Sequence, residues 1–134
     1  MIKGIDHVGI AVKDLKRSIP EWEKLIGEKA GNSEKIDAQG VVLSKLKLKE
    51  GPVIELLAPM DEETPVGKFL HKKGEGIHHI CFQVENLDHM VAGLKKNGVR
   101  FVQDVPVRGA DGSRIIFIYP SDFNGVLIEF KESD

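Results

Sequence analysis

Two stretches of this chain repeat one another. Residues 4–15 read GIDHVGIAVKDL and residues 76–87 read GIHHICFQVENL, which pairs Gly4 with Gly76, Ile5 with Ile77, His7 with His79, Val12 with Val84 and Leu15 with Leu87 at an offset of 72 residues. Downstream, VIELL at 53–57 matches LIEFK at 127–131, so that Glu55 pairs with Glu129 at an offset of 74. Solenoid repeats are shorter and more numerous, so the pattern is a duplication of one unit of about 60 residues. Whatever one half folds into, the other half is expected to repeat.

Each half reads the same way. Residues 4–12 alternate, with Val8, Ile10 and Val12 on one side and His7, Gly9 and Ala11 on the other, which is the period of a half-buried strand. A helix follows: Ser18 with Glu21 fits a capping box, Pro20 falls in the first turn, Ile19, Trp22 and Ile26 keep helical spacing, and Gly27 ends it. Residues 39–48 and 52–58 are β-rich and separated by the turn-like KEGP, whereas 28–38 is too polar to assign. The second half gives a strand over 77–84, a helix over 88–97 stopped by Gly98, and strands near 99–103, 114–119 and 125–131. That order is βαβββ twice. Between the copies, Thr64 as N-cap, Pro65 in the first helical position, Val66, Phe69 and Leu70 on one face and Gly74 at the end predict a linker helix.

The bounds on function are set by size and charge. A chain of 134 residues suits one domain with a core of its own, here module 1 (1–60), the linker helix (61–74) and module 2 (75–134). Nineteen Lys and Arg against 21 Asp and Glu leave a net charge of −2, with no electrostatic footprint for nucleic acid or an anionic membrane. Cys81 is the only cysteine, the start MIKGIDHV lacks the basic-then-apolar pattern of a signal peptide, and no apolar run approaches a membrane span. A cytoplasmic protein with a small-molecule partner is expected, and a homodimer on the ground of exposed sheet edges.

Strand parity then singles out four polar residues. Ile80, Phe82 and Val84 share one face of their strand, which leaves His79, Cys81 and Gln83 on the other. Glu55 points opposite Ile54 and Leu56, and Glu129 opposite Ile128 and Phe130. A lone strand histidine is ordinarily a hydrogen-bonded structural residue, and a carboxylate on a half-solvated sheet is harmless. Here both copies keep one His and one Glu at matching positions, away from the helix, and an unpaired buried carboxylate costs several kcal/mol. His7, Glu55, His79 and Glu129 are therefore expected to hold one divalent metal. Two imidazoles and two carboxylates suit Co, Mn, Ni, Fe or Zn and leave two octahedral positions open to a bidentate oxygen ligand. His78 falls on the opposite strand face, His71 and His89 fall in helices, and Cys81 without a second soft ligand reads as a small core residue.

Paired βαβββ modules with DHVGIAV and HHICF strands and a carboxylate in each last strand resemble the vicinal oxygen chelate superfamily. The resemblance implies an α+β glyoxalase-like fold in which two tandem modules form a cleft-like, partly open mixed barrel. Within it, LLAPMDEETPVGKFLHKKGEGIHHICFQVENL and GSRIIFIYPSDFNGVLIEF are similar to the methylmalonyl-CoA epimerase family. The resemblance places the metal ligands on the same four residues and implies an isomerase that epimerises the (2R) and (2S) forms of an acyl-CoA, methylmalonyl-CoA, by C2 proton abstraction. Glu129 is then the ligand that doubles as base, with Glu55 as its counterpart on the other side of the substrate. Some members carry a carboxylate soon after a QGVV-like turn as an acid/base group; here Leu43, Ser44 and Lys45 follow QGVV, which leaves that group unmatched. Ser113 and Arg114, after Gly109 and Gly112, are candidates to hold the substrate carboxylate or the coenzyme A phosphates, the alternative being an ordinary hairpin with a solvated Arg. Gln39 is a further substrate candidate. The rival activities are glyoxalase I (lactoylglutathione lyase) of the same superfamily, a ring-cleaving dioxygenase, which needs one carboxylate where this chain offers two, and, from another class, a ligand-sequestering resistance protein, which has no need of four ligands.

Overall fold

A computed structural model describes residues 1–132. The elements follow as β1 (Ile2–Ala11), α1 (Leu15–Ile26), β2 (Glu34–Ile36), β3 (Val41–Leu46), β4 (Val53–Pro59), α2 (Pro65–Lys73), β5 (Gly76–Val84), α3 (Leu87–Lys96), β6 (Val107–Arg108), β7 (Arg114–Ile118) and β8 (Leu127–Glu132). The expected βαβββ order occurs twice, with α2 between the copies. The chain divides into two compact units, His7–His78 and residues 1–6 with 79 onward. Among the described residues no helix is long and apolar enough to cross a membrane.

In the unit His7–His78 the strand order is β2-β3-β4-β1, with β4 parallel to β1 and antiparallel to β3. The period-2 pattern sorts the side chains to two faces. On one, Val12, Leu46 and Leu56 pack with Ile10, Leu15, Ile19 and Trp22, which fixes α1. On the other, Ala11, Val41, Leu43 and Leu57 pack with Val66, Phe69 and Leu70, which fixes α2.

The start of α1 differs from expectation. Asp14 is the N-cap and its carboxylate accepts from the Lys16 N–H at 3.0 Å, whereas Ser18 is buried inside the helix and Pro20 also lies inside it. Asp is as good a cap as Ser, and here it sits where the chain leaves β1, one turn earlier than the Ser18–Glu21 pair. The α2 cap is as expected: Thr64 Oγ1 accepts from the Gly67 N–H at 3.1 Å and donates to the Asp61 carbonyl at 2.8 Å. Thr64→Ala is expected to cost about 1 kcal/mol, read as a lower urea midpoint at unchanged m-value. Gln39 falls in a 3₁₀ turn, Asp37–Gln39, rather than at the start of a strand, and Gly40 ends that turn with φ of 67°. A Cβ at Gly40 would strike the Thr64 side chain, so the turn before β3 and the cap of α2 need a glycine there twice over.

In the other unit the order is β5-β8-β7-β6, with β8 parallel to β5 and antiparallel to β7. The chain start joins it, since Glu85 N–H donates to the Met1 carbonyl at 2.9 Å. Leu87 and Val91 of α3 pack with Val84, Ile116, Ile118 and Phe130. The strand expected over 99–103 is reduced to an isolated bridge between Phe101 and Ile118, and the short pairing partner of β7 is β6 instead. The reason is local: the Gln103 side-chain carbonyl takes the Phe117 N–H at 2.9 Å, in place of a backbone acceptor, and Pro106 brings no N–H to a ladder. Asn86, the N-cap of α3, has φ of 52° and no side-chain cap bond. Glu132 from β8 serves instead, accepting the Leu87 N–H at 2.7 Å.

Candidate active site

The duplication is carried into the register. In the first unit Gly9 of β1 stands opposite Glu55 of β4 in a parallel pair, and in the second Cys81 of β5 stands opposite Glu129 of β8 in the same way. His7 and His79 each lie two residues before those partners, on the same face. The geometry that results is nearly the same twice. His7 Nε2 is 3.6 Å from Glu55 Oε1, and His79 Nε2 is 3.5 Å from Glu129 Oε1. All four residues are buried, at 8%, 9%, 7% and 7% exposure in the order His7, Glu55, His79, Glu129.

The donor spacing bears on what each pair can hold. A charge-assisted N–H···O bond closes to about 2.7–2.9 Å, and both pairs stand farther apart than that. Two donors bound about 2.1 Å from one cation stand about 3.0 Å apart at a right angle and about 3.4 Å apart at the tetrahedral angle. The observed spacings lie just above the second value, and neutral imidazole with carboxylate is a donor set that borderline divalent ions accept. The residues present fit a divalent cation.

Their surroundings differ between the copies. Across β3, Glu55 faces Lys45, whose ammonium lies 3.8 Å from Glu34. Across β7, Glu129 faces Phe117. So where a further carboxylate could have stood beside Glu55, this chain places a cation. His78 stacks edge-on to Phe69 with ring centroids 5.0 Å apart, and burial pushes its pKa down to about 4, so it is neutral at pH 7.

The expected substrate residues separate. Arg114 shares its face of β7 with Ile116 and so lies on the α3 side, opposite Phe117 and the face of Glu129. There its guanidinium grips Asp88 at 2.6 and 3.0 Å and Glu132 at 3.2 Å, tying the start of α3 to the end of β8. Ser113, one residue before β7, keeps the parity of Ile115 and Phe117, and its N–H donates to Asp111 at 3.0 Å. Gln39 is exposed on its turn. Lys131, which keeps the parity of Glu129 in β8, went unnoticed in the sequence, and Lys45, noted there only as a residue that follows QGVV, is placed across from Glu55 by the parity of β3.

Two βαβββ units, each with a buried His–Glu pair on equivalent strands, make this an α+β protein of glyoxalase-like fold, and the sequence model of the Glyoxalase/Bleomycin resistance protein/Dioxygenase superfamily matches residues 6–117. An ethylmalonyl-CoA/methylmalonyl-CoA epimerase of Cereibacter sphaeroides is 36% identical over 134 residues, 98% of this chain and 99% of its own length. The crystal structure of methylmalonyl-CoA epimerase from Mycobacterium tuberculosis matches with a TM-score of 0.90 at 40% identity, over 99% of this chain and 89% of that one. A methylmalonyl-CoA epimerase in complex with methylmalonyl-CoA and NH4+ matches with a TM-score of 0.90 at 38% identity, over 99% and 96%. The chain belongs to that superfamily and, within it, to the methylmalonyl-CoA epimerase family, which makes it an enzyme of the isomerase class.

Proposed function

We propose that this protein interconverts the (2R) and (2S) forms of methylmalonyl-CoA by removing the C2 proton and returning one on the opposite face. The observation that carries the reading is the buried His–Glu pair, present once in each unit at equivalent register positions. Relatives named for this activity support it, one of them solved with methylmalonyl-CoA bound. His7, Glu55, His79 and Glu129 would hold one divalent cation, Co, Mn, Ni or Zn. When bound, that cation supplies Lewis acidity at the thioester and carboxylate oxygens that flank C2.

Glu129 takes the proton. The C2–H bond breaks, its electron pair moves into the thioester carbonyl to give the enolate, and the proton passes to the carboxylate. Glu55, the counterpart of Glu129 in the duplicate, enters the step protonated and gives its proton to C2 from the other face, which inverts C2 and leaves Glu55 as the carboxylate and Glu129 as the acid. A positioned base of this kind contributes about 10²–10⁴-fold in rate. Ser113, which keeps the parity of the Glu129 face, is the proposed contact for the substrate carboxylate or the coenzyme A phosphates. A cytoplasmic homodimer is part of the proposal, the dimer being checked by sedimentation equilibrium.

Proton NMR of methylmalonyl-CoA in deuterated water with metal-loaded protein tests the reading. Loss of the C2 proton signal is expected with the wild type, and no loss with the His7→Ala/His79→Ala double variant, whose content of bound metal is expected to fall with it. Absence of exchange with Co, Mn, Ni and Zn alike sinks the assignment and directs attention to the hemithioacetal of methylglyoxal and glutathione.

A further inference from the structure

The reaction leaves one partly buried charge on the Glu129 face without a task. Lys131 follows Glu129 by two residues in β8, so both point to the same side, and it stands opposite Gln83 of β5 and Ile115 of β7. Its side chain is only 18% exposed, with Nζ 2.8 Å from Asp111 and 3.4 Å from Asp6. Burial works against the ammonium, yet the bonds to Asp111 and Asp6 outweigh it and raise the Lys131 pKa. The same bridge holds the Asp111 carboxyl well below the usual carboxylate range. The Asp111 side chain is 51% exposed, so only the Lys131 end of the bridge is sheltered from solvent.

Asp111 has a second bond. Its other oxygen accepts the Ser113 N–H at 3.0 Å, inside a turn that otherwise bonds to itself: Gly109 N–H to Ser113 carbonyl at 2.7 Å, Gly112 N–H to Gly109 carbonyl at 3.1 Å, and Arg108 to Gly112 carbonyl at 2.8 Å. Those bonds shape the turn. The β6–β7 pairing and the β7–β8 register carry the turn to the side of β8, and the Lys131–Asp111 bridge adds a side-chain tie from the turn to the strand that carries Glu129.

We propose that Lys131 is a positioning residue for substrate: through Asp111 it fixes the 109–113 turn, and with it the Ser113 hydroxyl, on the Glu129 side of the sheet, where the polar groups of an acyl-CoA are held. The assignment rests on the epimerase reading and adds to it the residue that sets substrate affinity rather than the rate of the chemical step.

The test uses the full-length, metal-loaded protein. Steady-state epimerisation of methylmalonyl-CoA and hydrogen–deuterium exchange of the 109–113 amides are measured for the wild type, Lys131→Met, Asp111→Asn, the double variant and Lys131→Arg. Uniform loss of substrate binding appears in KM alone, so Lys131→Met is expected to raise KM about tenfold with kcat within about twofold. Exchange of the turn amides is expected to quicken in the same variant, Asp111→Asn to match it, and the double variant to be no worse than either single one, because the two changes cut the same bridge. Lys131→Arg is expected to recover most of the affinity. Unchanged KM and unchanged turn exchange in Lys131→Met overturn the assignment, as does a fall in kcat equal to the fall in kcat/KM, which would place Lys131 at the reacting atoms. A wild type that turns over no methylmalonyl-CoA overturns the epimerase reading and this assignment with it, and is told apart because the failure precedes any substitution.

Discussion

Glu129→Gln is expected to slow interconversion of the two methylmalonyl-CoA epimers by about 10²–10⁴-fold while the protein stays folded. The substitution keeps the shape of a side chain buried at 7% exposure and removes the carboxylate proposed to take the proton. Inversion needs a base on each face of C2, but exchange of the proton with solvent needs only one. With Glu129 neutralised, the proposed second base, Glu55, is left to serve its own face, so deuterium is expected to enter one epimer of the substrate at a rate within about tenfold of the wild type while chiral analysis shows inversion slowed by about the 10²–10⁴-fold above. The two measurements together separate the roles of the residue. If both exchange and inversion stop and bound metal is lost as well, the loss of activity is that of the cation, and Glu129 acts first as its ligand. If inversion continues at the wild-type rate, Glu129 is not the base, and Glu55→Gln becomes the decisive variant.

The four site candidates were legible because two independent regularities met on them. Period-2 alternation marks Glu55 and Glu129 as charges inside otherwise apolar strands, and the duplication marks His7 and His79 as their companions. Neither regularity depends on where distant residues meet. Other features did, and they escaped. Arg114 beside a glycine-containing turn looks the same in sequence whether its fork meets a ligand or, as here, Asp88 and Glu132. Glu132 caps α3 from a strand that follows it by 45 positions, a bond with no local signature. The Lys131–Asp111–Ser113 chain is likewise assembled by the sheet, and only the register of β7 with β8 brings its members to one side. The strand expected at 99–103 failed for the opposite reason: its apolar residues Phe101 and Val102 suggested a ladder, but the Gln103 side chain took a bond that the ladder needed.

Phe130→Ala is expected to lower stability by about 3–5 kcal/mol, the cost of a large cavity in a close-packed core. Phe130 is 4% exposed, packs with Leu87, Val91 and Ile116 under α3, and meets Phe82 edge-on at 6.4 Å between ring centroids. For a chain of this length the loss amounts to a fall of about 10–20 °C in Tm. The neighbouring position gives the contrast. Glu129 and Phe130 are consecutive and both buried, yet alternation sends one to the His79 side and the other into the core beneath α3. Glu129→Gln is therefore expected to cost activity with little change in Tm, and Phe130→Ala to cost Tm with kcat near wild type at temperatures where the variant is folded. Phe130→Leu, which refills most of the volume, is expected to recover more than half of the lost stability. Should Phe130→Ala instead reduce kcat at low temperature as strongly as Glu129→Gln does, the two faces of β8 are coupled, and Glu129 depends for its position on the packing of α3 behind it.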